Sequence, residues 1–535
     1  MYVEYIDIFV DMKKKLSVIV CLCGFVLPLL AQFSLLPTPA HMQGGKGVFI
    51  VGQNVRVCGN GGYADNLSKA LADTLNCLLD VSAPSSGMIV LELDEKAGMP
   101  GEAYTLVVTP EQVKLRSSSE SGLYYAKEAF VQLVRMGKGR VHACRIEDAP
   151  RYGWRGFMLD ESRHFFGKEK VKQYLDIMAS LRMNVFHWHL TDEPGWRIEI
   201  KRYPKLTTEG AVGNWHDPKA PAAYYRQEDI REIVAYAAER HIMIIPEFDM
   251  PGHATAVCRS YPEISGGGEG KWKHFTFHPC KEETFEFISN VLDELIALFP
   301  SPYIHIGGDE VHFGNQSWYT DPEIQQFIKD KELANEVELE HYFIRRVADM
   351  VASKGKTMIG WDEIVDAGVS PEKSLVMWWR HDRKYQLLKA LENGYRVILT
   401  PRRPLYADFV QYGTHKVGRM WDGYNPIEDI CRFPEPLMNL FQGYEEQILG
   451  LQFNLWSERV ADAKRLDFMT FPRLIAVAES AWTPIHAKDC SLFMQKLPYY
   501  LQLLDAKGIY YFNPFNPDAT PEPDSPDKDD PLKNG

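Results

Sequence analysis

The chain has 535 residues, with 59 Lys and Arg against 72 Asp and Glu and a formal net charge of −13 at pH 7. Its 45% apolar and 12% aromatic content excludes an intrinsically disordered protein. No Lys/Arg-rich run offers a stripe for phosphates, which argues against nucleic acid as a partner, and the length predicts two domains.

Lys13-Lys14-Lys15 and the apolar run 16–30 read as a secretory signal started from Met12, with small residues marking cleavage near Ala31. Residues 1–11 read as an over-extended start. The apolar run is short for a membrane span, so the mature chain is expected to have none. Val20 and Leu22 precede Cys21 and Cys23 where a lipoprotein signal wants a small residue. An exported bacterial protein, periplasmic or at the cell surface, is the expectation, with a lipid anchor left open. Seven cysteines remain (Cys58, Cys77, Cys144, Cys258, Cys280, Cys431 and Cys490). Odd in number and widely scattered, they form neither a CxxC metal site nor a disulfide framework, and a core independent of bridges is expected.

Residues 32–150 read as a small α/β domain. Leu67, Leu71, Leu75 and Leu78 give Ala64–Leu79 one apolar side, and helical periodicity returns over Gly122–Met136. Met88–Leu93, Tyr104–Thr109 and Gln112–Ser117 alternate as strands, the last two joined at Pro110-Glu111. No cluster capable of chemistry falls here.

From residue 151 to 510 short apolar strands alternate with longer helices. The strands are read at Gly156–Leu159, Val185–His189, Met243–Glu247, Tyr303–Ile306, Thr357–Trp361, Leu375–Trp379, Arg396–Thr400 and Ile448–Leu455. Eight such units predict a (β/α)8 barrel, whose site lies at the C-terminal strand ends. Residues 511–535, rich in Pro and Asp, predict a disordered acidic tail.

The strand ends carry the chemistry. The fourth runs through Gly307-Gly308 into Asp309-Glu310. Neighbouring strand residues face opposite ways, so both acids share a site only if the strand stops, which the glycines permit. Two adjacent buried carboxyls cannot both ionise easily, and one is pushed toward general-acid behaviour. An arbitrary Asp-Glu pair is far more often a surface loop. This pair is accompanied by Arg163, Asp192, His253, Trp361, Trp379, Tyr406, Asp408, Trp456 and Glu458, each just beyond a strand. Carboxylates, arginine and indole rings together suit a sugar, whose C–H faces pack on indoles while its hydroxyls meet charged groups. Trp188 and Trp378 read as core, whereas Trp361, Trp379 and Trp456 recur at corresponding strand ends. Alone, Arg163 would be a surface ion pair, and Asp192 and His253 loop caps. His187 and His189 share a strand face, as metal-dependent barrel hydrolases require. The later strand ends offer Trp, Tyr and Glu rather than further ligands, His253 excepted, so structural histidines with no metal or cofactor are expected.

Four segments resemble glycoside hydrolase family 20, the exo-β-N-acetylhexosaminidases. They are His187-Trp188-His189-Leu190-Thr191-Asp192-Glu193-Pro194-Gly195-Trp196-Arg197 with Tyr203-Pro204-Lys205-Leu206, Asp249-Met250-Pro251-Gly252-His253, His305-Ile306-Gly307-Gly308-Asp309-Glu310, and Leu455-Trp456-Ser457-Glu458. Their order and spacing agree across roughly residues 150–485. Glu102–Leu106 and Gly122–Tyr125 resemble the domain that accompanies that family's barrel. The resemblance implies a substrate-assisted retaining mechanism in which the 2-acetamido oxygen attacks C1 and an oxazolinium forms. It implies Glu310 as acid and base, Asp309 as acceptor of the acetamido N–H, and Tyr406 as donor to the acetamido oxygen. It further implies Trp361, Trp379 and Trp456 as pocket walls, with Arg163, Glu458 and Asp408 on sugar hydroxyls. Asp192 and His253 would set the protonation of Glu310. Trp379 is preferred to Trp378 because Arg380 follows it, and Trp421 is a candidate lid. The expected partner is a glycan ending in β-linked N-acetylhexosamine. A disaccharide-releasing relative such as a lacto-N-biosidase and a non-catalytic sugar-binding protein are the alternatives.

Overall fold

β-Branched and aromatic runs bounded by turn residues build two units. The computed structural model of the chain describes residues 35–52, 55–78 and 87–527, so the expected leader lies outside the described residues. The first unit is built on strands β1 (His41–Ile50), β2 (Arg56–Gly59), β3 (Met88–Leu93), β4 (Tyr104–Val108), β5 (Gln112–Ser117) and β6 (Arg140–Asp148). They form one mixed sheet in the order β1-β6-β4-β5-β3-β2. β4 and β5 pair antiparallel, as their hairpin pattern predicts. The helices Tyr63–Leu78 and Glu120–Met136 bury Leu67, Leu71 and Leu75, and Leu123, Phe130 and Val134. Ser119 caps the second by accepting from the Gly122 amide, relieving one of the orphan donors at its start. The helix Cys490–Ala506 also belongs to this unit, not to the barrel range in which the sequence reading places it. Lys496 Nζ donates to Thr38 Oγ1 at 2.8 Å, and Thr483 Oγ1 to the Thr38 carbonyl at 2.8 Å.

The second unit is a closed barrel of eight parallel strands: β7 (Trp154–Asp160), β8 (Val185–His189), β9 (Met243–Met250), β10 (Tyr303–Gly307), β11 (Thr357–Trp361), β12 (Ser374–Trp378), β13 (Arg396–Leu399) and β14 (Ile448–Leu455). Strands covered on both faces read as nearly continuous apolar runs, which is why they stand out in the sequence. Helices such as Lys168–Ser180, Gln227–Ala238, Glu282–Leu298 and Glu336–Ser353 supply the outer layer. The connection after β11 departs from the repeat, with a 3-10 turn, Asp362–Val365, in place of a helix. The barrel interior is partly polar: Gln452 Nε2 donates to Asn454 Oδ1 at 3.0 Å and lies 3.0 Å from His187 Nδ1.

The stretch expected to be a disordered tail differs from that reading as far as Asp527. Tyr511 and Phe512 are buried. Glu522 accepts from the Lys416 and Val417 amides at 2.7 and 3.0 Å and pairs with Arg465 at 3.1 Å. A few anchors hold a segment whose average composition hides them. Residues 528–535 lie outside the described residues. Cys58, Cys77, Cys144, Cys258 and Cys280 are free, whereas Cys431 and Cys490 are disulfide-bonded, a bridge the scattered cysteines do not predict. Among the described residues no helix is long and apolar enough to cross a membrane.

Candidate active site

The end of β10 fixes the two acids. Gly307 has φ +70°, and a Cβ there would lie 1.7 Å from Asp249 Oδ1, so no other residue fits. Gly308 follows at φ +94°, and Glu310 itself is left-handed at φ 52°. A non-glycine residue in that region is held there by its surroundings. The bend delivers Asp309 and Glu310 into one cavity of about 590 Å³. Asp309 is deep, whereas the Glu310 side chain is 33% exposed and stands nearer the mouth.

Both carboxyls face His253 Nε2, each at 3.6 Å. Burial lifts Asp309 to about 7; His253 opposes the lift and the charge of Glu310 adds to it. Burial also acts against a charge on Glu310. There the nearby charge of His253, with those of Arg419 and Arg163, outweighs it and holds Glu310 below its ordinary value. Of the two, Asp309 therefore takes up a proton more readily than Glu310. The adjacency predicts a raised acid, but not which of the two it is.

A hydrogen-bonded line runs back from His253 into the barrel. His253 Nδ1 lies 3.0 Å from Asp192 Oδ1, and Asp192 Oδ2 lies 2.6 Å from Arg163 Nη1 and 2.8 Å from His189 Nε2. Burial would raise Asp192, but Arg163 and His253 more than offset it and hold it ionised. His189 Nδ1 is 2.5 Å from Glu247 Oε2. With a carboxylate at each nitrogen, His189 is raised well above its usual value despite burial. Glu247 is also 3.0 Å from His187 Nε2 and from His305 Nδ1, and accepts from Trp361 Nε1 at 3.1 Å. His187, Glu247 and His305 are close enough together to hold a cation by distance alone. Burial and the His305 charge push His187 down to about 4, so a neutral, hydrogen-bonded His187 suits this cluster.

Aromatic rings wall the cavity. Trp361, fixed by Glu247, lies 5.7 Å from Trp456, and Trp456 lies 6.2 Å from Tyr406. Tyr406 stacks nearly parallel to Trp379 at 6.5 Å, and Trp379 Nε1 donates to Glu363 Oε2 at 3.0 Å. Burial raises Tyr406 well above its usual value, so it stays a hydroxyl donor. Trp379 lines the cavity while Trp378 is fully buried. Trp421 also lines it, held edge-on to Phe409 at 5.9 Å with Arg419 4.6 Å from its ring centre.

At the far side Arg419 pairs with Asp408 at 2.9 Å and with Glu458 Oε1 at 2.7 Å. Asp408 does not line the cavity; it stands behind Arg419. Six buried polar atoms of cavity residues, on Arg163, Asp249, His253, Asp309, Arg402 and Glu458, have no hydrogen-bond partner in the protein, among them the acceptors Asp309 Oδ1 and Glu458 Oε2 and the donor Arg163 Nε. Buried polar atoms are normally satisfied, so these acceptors and this donor suit a ligand rich in N–H and O–H groups.

Residues 152–485 match the model of the catalytic domain of glycosyl hydrolase family 20, and residues 32–149 match that family's domain 2. The chain belongs to glycosyl hydrolase family 20. It is similar to a beta-hexosaminidase of Porphyromonas gingivalis, 34% identical over 90% of this chain and 64% of that relative's length. A beta-hexosaminidase of Vibrio furnissii is 34% identical over 84% of this chain and 76% of its own length. Among solved structures, a GH20 exo-β-N-acetylglucosaminidase of Vibrio harveyi, in complex with N-acetylglucosamine, has a TM-score of 0.81 at 31% identity, over 91% of this chain and 79% of that one.

The pocket of this family 20 chain brings together every residue singled out in the sequence except Asp408. It also contains residues the sequence reading passes over. Asp249 lies inside a quoted motif at the end of β9, and its strand-end position was a usable signal. Arg419, Trp215 and Trp272 come from long loops, where no periodicity marks a side chain as inward, and Arg402 opens the short helix Arg402–Leu405 just after β13.

Proposed function

We propose that the protein is a retaining exo-β-N-acetylhexosaminidase that removes terminal non-reducing GlcNAc or GalNAc from glycans by substrate-assisted catalysis. The observation that carries this reading is the pair Asp309 and Glu310, side by side on one strand end in a tryptophan-walled pocket. A retaining enzyme with its own nucleophile needs a second carboxyl about 5 Å across the sugar from the acid. Adjacent acids on one strand end suit a different division of labour. Asp309 Oδ1, buried and unpartnered, accepts the acetamido N–H and turns the acetamido oxygen toward C1. Tyr406 donates to that oxygen. Glu310 protonates the leaving oxygen as the C1–O bond breaks, and an oxazolinium forms. Glu310 then takes a proton from water as water opens the ring, restoring the β configuration.

Proton placement is consistent with this cycle. Burial raises Asp309 to about 7, so it takes up a proton more readily than Glu310. An arriving N–H donor stabilises the Asp309 anion, and His253, 3.6 Å from both carboxyls, can pass the proton to Glu310. Trp361, Trp379 and Trp456 enclose the acetamido methyl and the ring, while Arg163 Nε and Glu458 Oε2 meet the hydroxyls. The names of the Vibrio harveyi, Porphyromonas gingivalis and Vibrio furnissii relatives support the same substrate class. The test is the anomer first released, followed by proton NMR during hydrolysis of a 2-acetamido-2-deoxy-β-glucoside. The β anomer is expected, and the α anomer would overturn the mechanism.

A further inference from the structure

We propose that Trp272 and Phe313 form an apolar ledge that binds the pyranose ring on the leaving-group side of the scissile bond; this rests on the reaction proposed above. Phe313 lies one turn beyond the acid, its amide donating to the Glu310 carbonyl at 3.0 Å. Trp272 is stacked on it, ring centres 5.3 Å apart with planes 5° from parallel. Both rings line the same cavity as Glu310. Glu310 is the more exposed of the two acids, and the oxygen it protonates belongs to the leaving group. The ring attached to that oxygen therefore lies on the Glu310 side, toward the mouth.

The ledge continues the catalytic wall. Phe275 meets Trp272 edge-on at 5.0 Å and lies 4.9 Å from His253. The loop carrying Trp272 is pinned rather than free. His274 N donates to the Gly267 carbonyl at 2.8 Å, and Gly268 N to Ser317 Oγ at 2.9 Å. A Cβ on Gly268 would lie 2.1 Å from the Trp272 carbonyl, and one on Gly314 would lie 2.4 Å from Phe275. The glycines let the segments after β9 and β10 close on each other and stack the two rings. Phe313 is nevertheless 37% exposed, a large apolar ring left open at the mouth of a polar pocket. Rigid aromatic surface beside a sugar pocket matches the C–H face of a pyranose. Lys271, whose ammonium is 4.6 Å from the Trp272 ring centre, brings donors for that sugar's hydroxyls to the same edge.

The ledge therefore selects the leaving group by its ring. The test compares kcat/KM for a β-1,4-linked disaccharide of N-acetylglucosamine with that for methyl 2-acetamido-2-deoxy-β-glucoside, whose leaving group has no ring. Trp272→Ala and Phe313→Ala, on separate loops, should each lower the disaccharide-to-methyl ratio about tenfold, mainly by raising KM for the disaccharide. Trp272→Phe should restore most of it. An unchanged ratio in both alanine variants overturns the ledge, as does an equal loss on both substrates. If the wild-type chain cleaves neither substrate, the failure lies with the proposed reaction, and the ledge falls with it.

Discussion

Two buried carboxylates of the barrel, one on β9 and one just past β10, are treated in opposite ways. Glu247 is surrounded by His187, His189, His305 and the Trp361 indole, with contacts to all four between 2.5 and 3.1 Å. Despite burial it is held well below its ordinary value, chiefly by those histidines. Asp309 keeps an oxygen with no protein partner and is lifted to about 7. A satisfied buried charge fixes structure, whereas an unsatisfied one costs stability unless a ligand completes it. The contrast separates residues that build the pocket from residues that use it.

The largest expected effect is on the acid beside Asp309. Glu310→Gln should slow hydrolysis of unactivated glycosides by roughly 10²–10⁴, and less for good leaving groups. Equal losses across leaving groups, in steady-state rates, would remove its role as proton donor. Glu247→Gln is expected to act on the other side of the contrast. It removes one of the two carboxylates that hold the His189 cation, and breaking a buried pair costs about 3–5 kcal/mol. Denaturant unfolding that matched the wild type would contradict that assignment. Asp309→Asn should cut turnover of 2-acetamido substrates by roughly 10²–10³ whatever the leaving group, the scale for losing one preorganised transition-state contact. Its melting temperature at pH 7 should rise, since folding lifts the aspartate from 3.8 to about 7. The sign follows: that group's stabilisation is complete below about pH 4 and is lost as pH climbs to 7. A melting temperature that fell would mean Asp309 is structural, like Glu247.

The smallest effect is a pH dependence. The productive free enzyme carries one proton on the Asp309–Glu310 pair, so kcat/KM should decline as pH rises through about 7. A substrate whose leaving group needs no protonation should flatten that limb. A profile still rising beyond pH 8 for an unactivated substrate would contradict the shared proton.

The barrel was legible because each strand is an apolar run bounded by breakers. The eight predicted strands lie within a few residues of the observed ones, and most predicted site residues follow them directly. In the first domain the pattern does not mark β1, β2 or β6. β1 lies at the sheet edge with a largely exposed pattern, β2 has only four residues, and the alternation of Arg140–Asp148 is broken at Ala143-Cys144. The family resemblance implies Asp408 as a sugar contact. In the structure it pairs with Arg419, which sits in a loop that only three-dimensional packing brings back. The ordered tail is hidden for the same reason: its anchors at Lys416, Val417 and Arg465 lie far along the chain and leave no local pattern.

The central claim is that the substrate's acetamido group, held by Asp309, takes the place of an enzyme nucleophile. The most direct measurement compares hydrolysis of an aryl 2-acetamido-2-deoxy-β-glucoside with that of the plain aryl β-glucoside by the purified chain. Turnover of the first with none of the second is the predicted result. Comparable turnover of both would require an enzyme-borne nucleophile and would contradict the roles given to Asp309 and Tyr406.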